Sequence, residues 1–270
     1  MKGELEGRVA LVLGAGSLGE GIGIGKAICL AFAEAGASIV AADRNLEAAE
    51  ETARVCREAG GRAEAAMVDV TDDPALGDLV SGTAERHGRI DVLYCNVGLG
   101  KAGSSDQTSP AEWRQIADAN LTALHVASQA VVPVMKAQGG GVVLTTSSIA
   151  GIRHVGYPHL AYGVTKAAAI HFMRLFAQEH AAHGIRANTI VAGLIDTPRI
   201  RQTLATSYGG RSFDEVRKVR DAQVPLGHMG TSADIAEAAL FLASDRAAYI
   251  TGSEIIVDGG LSATVRQSSI

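Results

Sequence analysis

The sequence predicts an α/β fold: a single-domain, doubly wound parallel sheet of seven strands, Rossmann-like, with helices on both faces. Three observations predict it. Short runs rich in Val, Ile and Leu alternate with longer segments of helical period. A glycine-rich stretch follows the first apolar run and opens a helix. At 270 residues the chain is long enough for one large α/β domain and short for two independent cores.

The strands are expected at residues 9–13, 38–42, 63–68, 92–95, 142–146, 186–191 and 254–257. Between the first two, Ile24, Ile28, Ala31, Phe32 and Ala35 recur at helical spacing and Gly36 closes the helix. Further helices are expected over 46–59, 74–86, 110–138, 162–183 and 233–242. Residues 198–230 break the pattern, with many Arg and Gly residues and a weak period. They are expected to form a mobile substrate-binding excursion within the one domain, 1–270.

Composition narrows the function classes. A net charge of −5 gives no concentrated basic field, so DNA and RNA are not expected partners. Cys29, Cys56 and Cys95 cannot all pair and match no zinc spacing, which points to a reducing compartment and no metal. The opening MKGELEGR resembles neither a leader nor an anchor, and no apolar run approaches the ~18 residues that span a bilayer. A soluble, cytoplasmic protein acting on a small molecule is the expectation.

The stretch Gly14-Ala15-Gly16-Ser17-Leu18-Gly19-Glu20-Gly21-Ile22-Gly23-Ile24-Gly25 carries six glycines. Such a loop lets backbone amides and a helix N-terminus approach a pyrophosphate without Cβ obstruction, which makes Gly14, Ser17, Gly23 and Ile24 candidate contacts. Asp43 ends the next strand, where a carboxylate accepts hydrogen bonds from the adenosine ribose hydroxyls and repels a 2′-phosphate. NAD is therefore favoured over NADP, with Arg44 partly offsetting the repulsion; Asp43 also fits a helix N-cap.

Tyr162-Gly163-Val164-Thr165-Lys166 places a phenol and an ammonium one helical turn apart, on one face. A Tyr phenol titrates near ~10, and a fixed cation lowers that value, turning the group into a general acid/base near neutrality.

From Arg8 to Gly260 the chain resembles the short-chain dehydrogenase/reductase family. The resemblance implies that Asp69 and Val70 contact the adenine and that the turn Cys95-Asn96-Val97-Gly98 lines the cofactor through Asn96, Val97 and Gly98. In Thr145-Thr146-Ser147-Ser148-Ile149-Ala150-Gly151 it selects Ser148 as the catalytic serine, with Ser147 the runner-up. It assigns Asn120 to a water chain reaching Lys166, and Gly193, Ile195 and Thr197 to the nicotinamide carboxamide. Tyr162 and Lys166 also contact the cofactor in this reading, while Asp258 is structural.

The activity implied is NAD-dependent interconversion of a secondary alcohol and a ketone by hydride transfer, Tyr162 moving the proton and Ser148 holding the oxygen. An enoyl-thioester reductase is the alternative, since its relatives also carry long glycine loops; the four-residue Tyr–Lys interval favours alcohol/ketone chemistry. A catalytically inactive nicotinamide-binding scaffold or sensor is a further alternative, because Leu13, Cys95, Val97 and Ala192 depart from the family pattern. Leu13 and Cys95, both polar positions in the family, are expected to replace a polar stitch by an apolar contact. The loop is longer than usual by about five residues, 18–22, expected to bulge over the pyrophosphate or adenosine side.

The substrate pocket is expected from residues 151–160, 99–105 and 198–230, with His154, Tyr157 and His159 as possible contacts. Arg199, Arg201, Arg211, Arg217, Lys218 and Arg220 fit either a solvated helix face or an anionic substrate. Residues 167–177 are apolar around nearly the whole helix, through Ile170, Phe172, Met173, Leu175 and Phe176. That surplus suggests a subunit interface, and the family expectation is a homotetramer or dimer.

Overall fold

The computed structural model describes residues 3–17, 19, 21–200 and 212–264. Its core is a seven-stranded parallel sheet of β1 (Val9–Leu13), β2 (Ser38–Asp43), β3 (Arg62–Met67), β4 (Val92–Cys95), β5 (Gly141–Ser148), β6 (Ile185–Ala192) and a last strand, Glu254–Val257. Two short strands precede that last one in sequence, β7 (Ile195–Asp196) and β8 (Gly230–Thr231), so it is β9. The order across the sheet is β3-β2-β1-β4-β5-β6-β9, and β7 pairs with β8 in a separate two-stranded sheet. All seven predicted strands are present.

Helices α1 (Ile24–Glu34), α2 (Leu46–Glu58), α3 (Asp73–His87), α4 (Pro110–Ala117), α5 (Ala123–Ala137), α6 (Leu160–His180), α7 (Phe213–Asp221) and α8 (Ser232–Ala243) complete the frame. Strand residues alternate between two cores, as the period of two requires. Ala10, Val12, Ile39, Ala41, Val92 and Tyr94 face α1 and α8. Leu11, Leu13, Val40, Leu93, Cys95 and Val143 face the residues of α3, α5 and α6. Both faces of the sheet are thus covered, which is why the central strands read as unbroken apolar runs.

Three expectations are corrected. The single helix expected over 110–138 is interrupted by a π-helical turn at Asp118–Thr122 between α4 and α5. The weak period of the excursion expected at 198–230 conceals a helix that the sequence reading omits: α7 starts at a capping box in which Ser212 and Glu215 satisfy each other's backbone amides. Arg201 and Arg211 lie outside the described residues. The helix expected over 46–59 starts at Leu46, but its N-cap is Asn45, whose side chain accepts from Ala48 N at 3.3 Å; Asp43 does not cap it.

The contact proposed between Leu13 and Cys95 holds. The two are direct partners across the β1–β4 pairing, and both are buried. On the other face, Phe32 is fully buried and meets Tyr94 edge to face, with centroids 6.3 Å apart. Phe32→Ala is expected to lower the unfolding free energy by about 3–5 kcal/mol, measured by urea denaturation with an unchanged m-value.

Candidate active site

The strand order reverses between β1 and β4, so the connections leaving these two strands part to opposite faces and open a crevice at the carboxyl edge of the sheet. The glycine loop leaves β1 into this crevice. Gly14 has φ +76°, a conformation that favours glycine, and a Cβ at Gly25 would lie 2.0 Å from the Gly14 carbonyl oxygen. The loop and the first turn of α1 therefore meet backbone to backbone. Asn96 closes the turn after β4 over this loop, donating from Nδ2 to Gly14 O at 2.9 Å, and Thr146 Oγ1 donates to Asn96 Oδ1 at 3.1 Å.

Asp43 points back at the loop, with Oδ2 accepting from Gly16 N at 2.9 Å and Oδ1 from Asn45 N at 3.0 Å. Asp69 accepts from the Thr71 amide and hydroxyl, at 3.0 and 2.7 Å, and these bonds hold its carboxyl below the usual range. Of the extra loop residues, Gly21 and Ile22 lie away from this end. Gly21 abuts Pro198, where a Cβ would come within 2.9 Å of the ring, and Ile22 O accepts from Ser232 Oγ at 2.7 Å. Of the expected bulge over the pyrophosphate or adenosine side, the adenosine alternative is corrected for these two residues; Leu18 and Glu20 lie outside the described residues.

Further along the cleft, α6 presents Tyr162 and Lys166 on one face. The Lys166 ammonium is buried and donates to Thr146 O at 2.8 Å and Val97 O at 3.2 Å, which ties α6 to the ends of β5 and β4. Burial, with Arg199 nearby adding to it, pushes its pKa down to about 8. It sits 5.8 Å from the Tyr162 ring centroid. Burial raises the phenol pKa, while hydrogen bonding with Ser148 and the charge of Arg199 oppose the rise. In the chain alone, then, the expected downward shift from Lys166 does not prevail over desolvation.

The two candidate serines are separated by their partners. Ser147 is buried and donates to the Lys166 carbonyl at 2.8 Å, a bond that fixes α6 to β5. Ser148 is half-buried, accepts from Ala150 N at 3.2 Å and faces the phenol. Asn120 stands in the π-helical turn with its amide committed: Nδ2 donates to Leu99 O at 2.8 Å and Thr165 Oγ1 at 3.0 Å, and Oδ1 accepts from Leu99 N at 2.7 Å. No direct bond joins it to Lys166, and its side chain braces the loop after β4 against α6.

Every other predicted site residue lines one continuous cleft. Gly14, Ser17, Gly23, Ile24, Asp43, Arg44, Asp69 and Val70 form one end; Asn96, Val97, Gly98, Ser148, Tyr162, Lys166, Gly193, Ile195 and Thr197 line it toward the other. An extended dinucleotide fits this lining, with carboxylates at one end, the glycine loop and the start of α1 in the middle and the phenol at the far end. Asp258 is held in the turn after β9, accepting from Gly260 N at 2.8 Å and Ser262 N at 2.6 Å, in keeping with a structural role.

Two features escape the motif reading. His159, the residue before α6, stacks on Tyr162 with centroids 4.5 Å apart, and burial lowers its pKa, which favours the neutral ring. Arg199 donates to the Gly98 carbonyl and carries its charge toward both Tyr162 and Lys166. The sequence places both residues near the expected pocket, His159 as a possible contact and Arg199 in the basic segment, but carries no signal for these particular partners.

Comparison with known proteins identifies the class. The family model described as enoyl-(acyl carrier protein) reductase matches residues 19–262. A 3-oxoacyl-[acyl-carrier-protein] reductase of Thermotoga maritima is 33% identical over 95% of this chain and 98% of its own length. A cyclohexanol dehydrogenase of Acinetobacter is 33% identical over 96% of each. Among solved structures, a short-chain dehydrogenase/reductase from Burkholderia xenovorans superposes with TM-score 0.94 at 40% identity, covering 98% of this chain and all of that one.

A 7α-hydroxysteroid dehydrogenase complexed with NADH and 7-oxo glycochenodeoxycholic acid gives TM-score 0.86 at 33% identity, over 95% of this chain and 94% of that one. A gluconate 5-dehydrogenase from Beutenbergia cavernae with bound NADP gives 0.86 at 33%, over 96% and 98%. The chain belongs to the short-chain dehydrogenase/reductase family and is a nicotinamide-dependent oxidoreductase. Among the described residues no helix is long and apolar enough to cross a membrane.

Because Gly25 packs on the Gly14 carbonyl, Gly25→Ala is expected to weaken dinucleotide binding by about tenfold or more, read by quenching of Trp113 fluorescence or by calorimetry.

Proposed function

We propose that the protein interconverts a secondary alcohol and a ketone, with NAD preferred over NADP. The observation that carries this reading is the Tyr162 phenol, flanked by the Ser148 hydroxyl and the Lys166 ammonium at the end of the glycine-lined cleft. When bound, the nicotinamide supplies the hydride acceptor or donor. The chain's residues handle the oxygen and its proton. Ser148 holds the substrate oxygen beside the phenol. Tyr162 Oη takes the hydroxyl proton during oxidation and returns it during reduction.

Lys166 favours the phenolate once the positive charge of an oxidised nicotinamide adds to its own and offsets desolvation. Asp43 reads the adenosine ribose and disfavours a 2′-phosphate by like charge. The described residues 198–200 and 212–230, with 151–160 and 99–105, form the substrate wall of a single domain. The surplus apolar surface on α6, where Val164 and Leu175 remain exposed, supports a dimer or tetramer in a cytoplasmic setting.

The name of the matching family model favours a second reading, reduction of an enoyl thioester. The one-turn spacing of Tyr162 and Lys166 supports alcohol chemistry instead; faster NADH consumption with crotonyl thioesters than with any ketone would replace the first reading.

Tyr162→Phe is expected to reduce kcat by about 10²–10⁴ while NADH affinity changes less than twofold; retained turnover in a coupled NADH absorbance assay removes the mechanism. Alcohol oxidation should accelerate as pH rises through the phenol's titration and ketone reduction should slow, and Tyr162→Phe should erase that limb of both profiles. Asp43→Asn should narrow the preference for NAD over NADP by about tenfold, measured as the ratio of kcat/KM for the two cofactors.

A further inference from the structure

The part of the cleft lined from α7 carries a feature that alcohol/ketone chemistry does not use. Helix α7 turns Val216, Arg220 and, just past its end, Val224 to its inner side; all three are buried, with Arg220 8% exposed. Its outer neighbours Arg217 and Lys218 are exposed. Arg217 pairs with Asp196 and Asp221 at 3.7 and 3.8 Å, and Asp221 also accepts from Met229 N at 2.7 Å. The solvated-face explanation thus covers Arg217 and Lys218 and leaves Arg220 unexplained.

The Arg220 guanidinium has one described hydrogen-bond partner, the Met229 thioether, which its Nε meets at 3.2 Å. Among the described residues no carboxylate lies within ion-pair distance of it. Burying a guanidinium against a thioether sacrifices hydration without a compensating anion. Arg220 lines the cleft, beside Val224 and Pro225 and in the same wall as Leu261 and Thr264. Arg153, in the segment after Ser148, reaches this wall by donating to the Leu261 and Thr264 carbonyls. The acids lining the cleft are Asp43 and Asp69, both at the adenosine end, so the described substrate wall carries cations and no carboxylate.

We propose that this wall binds an anionic group of the substrate, a carboxylate placed away from the reacting carbon, and that Arg220 is its ion-pair partner. The proposal rests on the dehydrogenase reading for the location of the substrate. An incoming carboxylate supplies the charge and the acceptors that the guanidinium lacks, and most of the residue is already withdrawn from water before binding. Specificity follows, because a neutral ester leaves the guanidinium as it was and gains no ion pair.

The test uses the NADH-saturated enzyme and matched pairs: levulinate, 4-oxocyclohexanecarboxylate and 4-acetylbenzoate, each against its methyl ester. Binding is read by calorimetry and reduction by NADH absorbance. At least one acid should bind about tenfold more tightly than its ester, with the preference shrinking at high salt. Arg220→Met should abolish the preference, Arg220→Lys should retain part of it, and Arg217→Met should leave it intact. The salt and ester arms on the unaltered enzyme remain decisive if Arg220→Met fails to fold.

Absence of acid preference in every pair, including no binding at all, overturns the proposal. So does preference retained in folded Arg220→Met. Equal weakening of NADH alone by that substitution would assign Arg220 to the cofactor's phosphates and equally overturn it. Neutral ketones reduced without acid preference would leave the dehydrogenase reading standing, whereas Arg220-dependent acid binding without reduction of any ketone would leave only the anion site.

Discussion

The arrangement depends on one buried ammonium. Lys166 bonds the carbonyls of Thr146 and Val97, at the ends of β5 and in the turn after β4, while its own backbone carbonyl accepts from Ser147. A cation without a carboxylate in a dry site is costly, and carbonyl dipoles alone compensate it in part, which is why its pKa falls to about 8. The compensation has a geometric use. It locks α6 to the ends of two strands, so the phenol one turn away is aimed by the sheet rather than by a loop.

The same economy of contacts builds the cofactor side. Asn96 holds the glycine loop by its carbonyl, and Thr146 holds Asn96 by its amide oxygen; Tyr94 OH in turn lies 2.9 Å from Thr146 Oγ1. A chain of side-chain bonds therefore runs from the core to the phosphate loop. Where the family pattern has polar groups at positions 13 and 95, this chain has a buried Leu and Cys in direct register, and no polar group there is left to satisfy.

Much of the fold was legible because its signals are local or periodic. Seven strands were readable from short apolar runs set between helical segments, and the candidate phosphate-loop residues from the glycines that follow the first run. The π-helical turn was not, because its side chains obey helical spacing on both sides and the extra backbone residue leaves no compositional mark. Helix α7 was passed over although Ser212 and Glu215 stand at capping-box spacing; its inner face holds an arginine between valines, which reads as a weak period. At the site, Tyr162 and Lys166 were readable from their one-turn spacing. The stacking of His159 on Tyr162 and the opposition of α7 to the segment after Ser148 join residues distant in sequence or outside any motif, and only the folded chain reveals them.

The π-helical turn sets the phase of what lies downstream. An α-helix advances by about 100° per residue and this wider turn by less, so winding the same residues Asp118–Thr122 as regular α-helix would swing α4 and α5 out of azimuth with each other by roughly one residue's rotation. Either Asn120 would leave the Leu99 loop or α5 would turn its buried seam, Leu124, Ala127 and Val131, toward water. The irregularity is thus a rotational shim, letting one continuous rod serve a brace at one end and a core at the other.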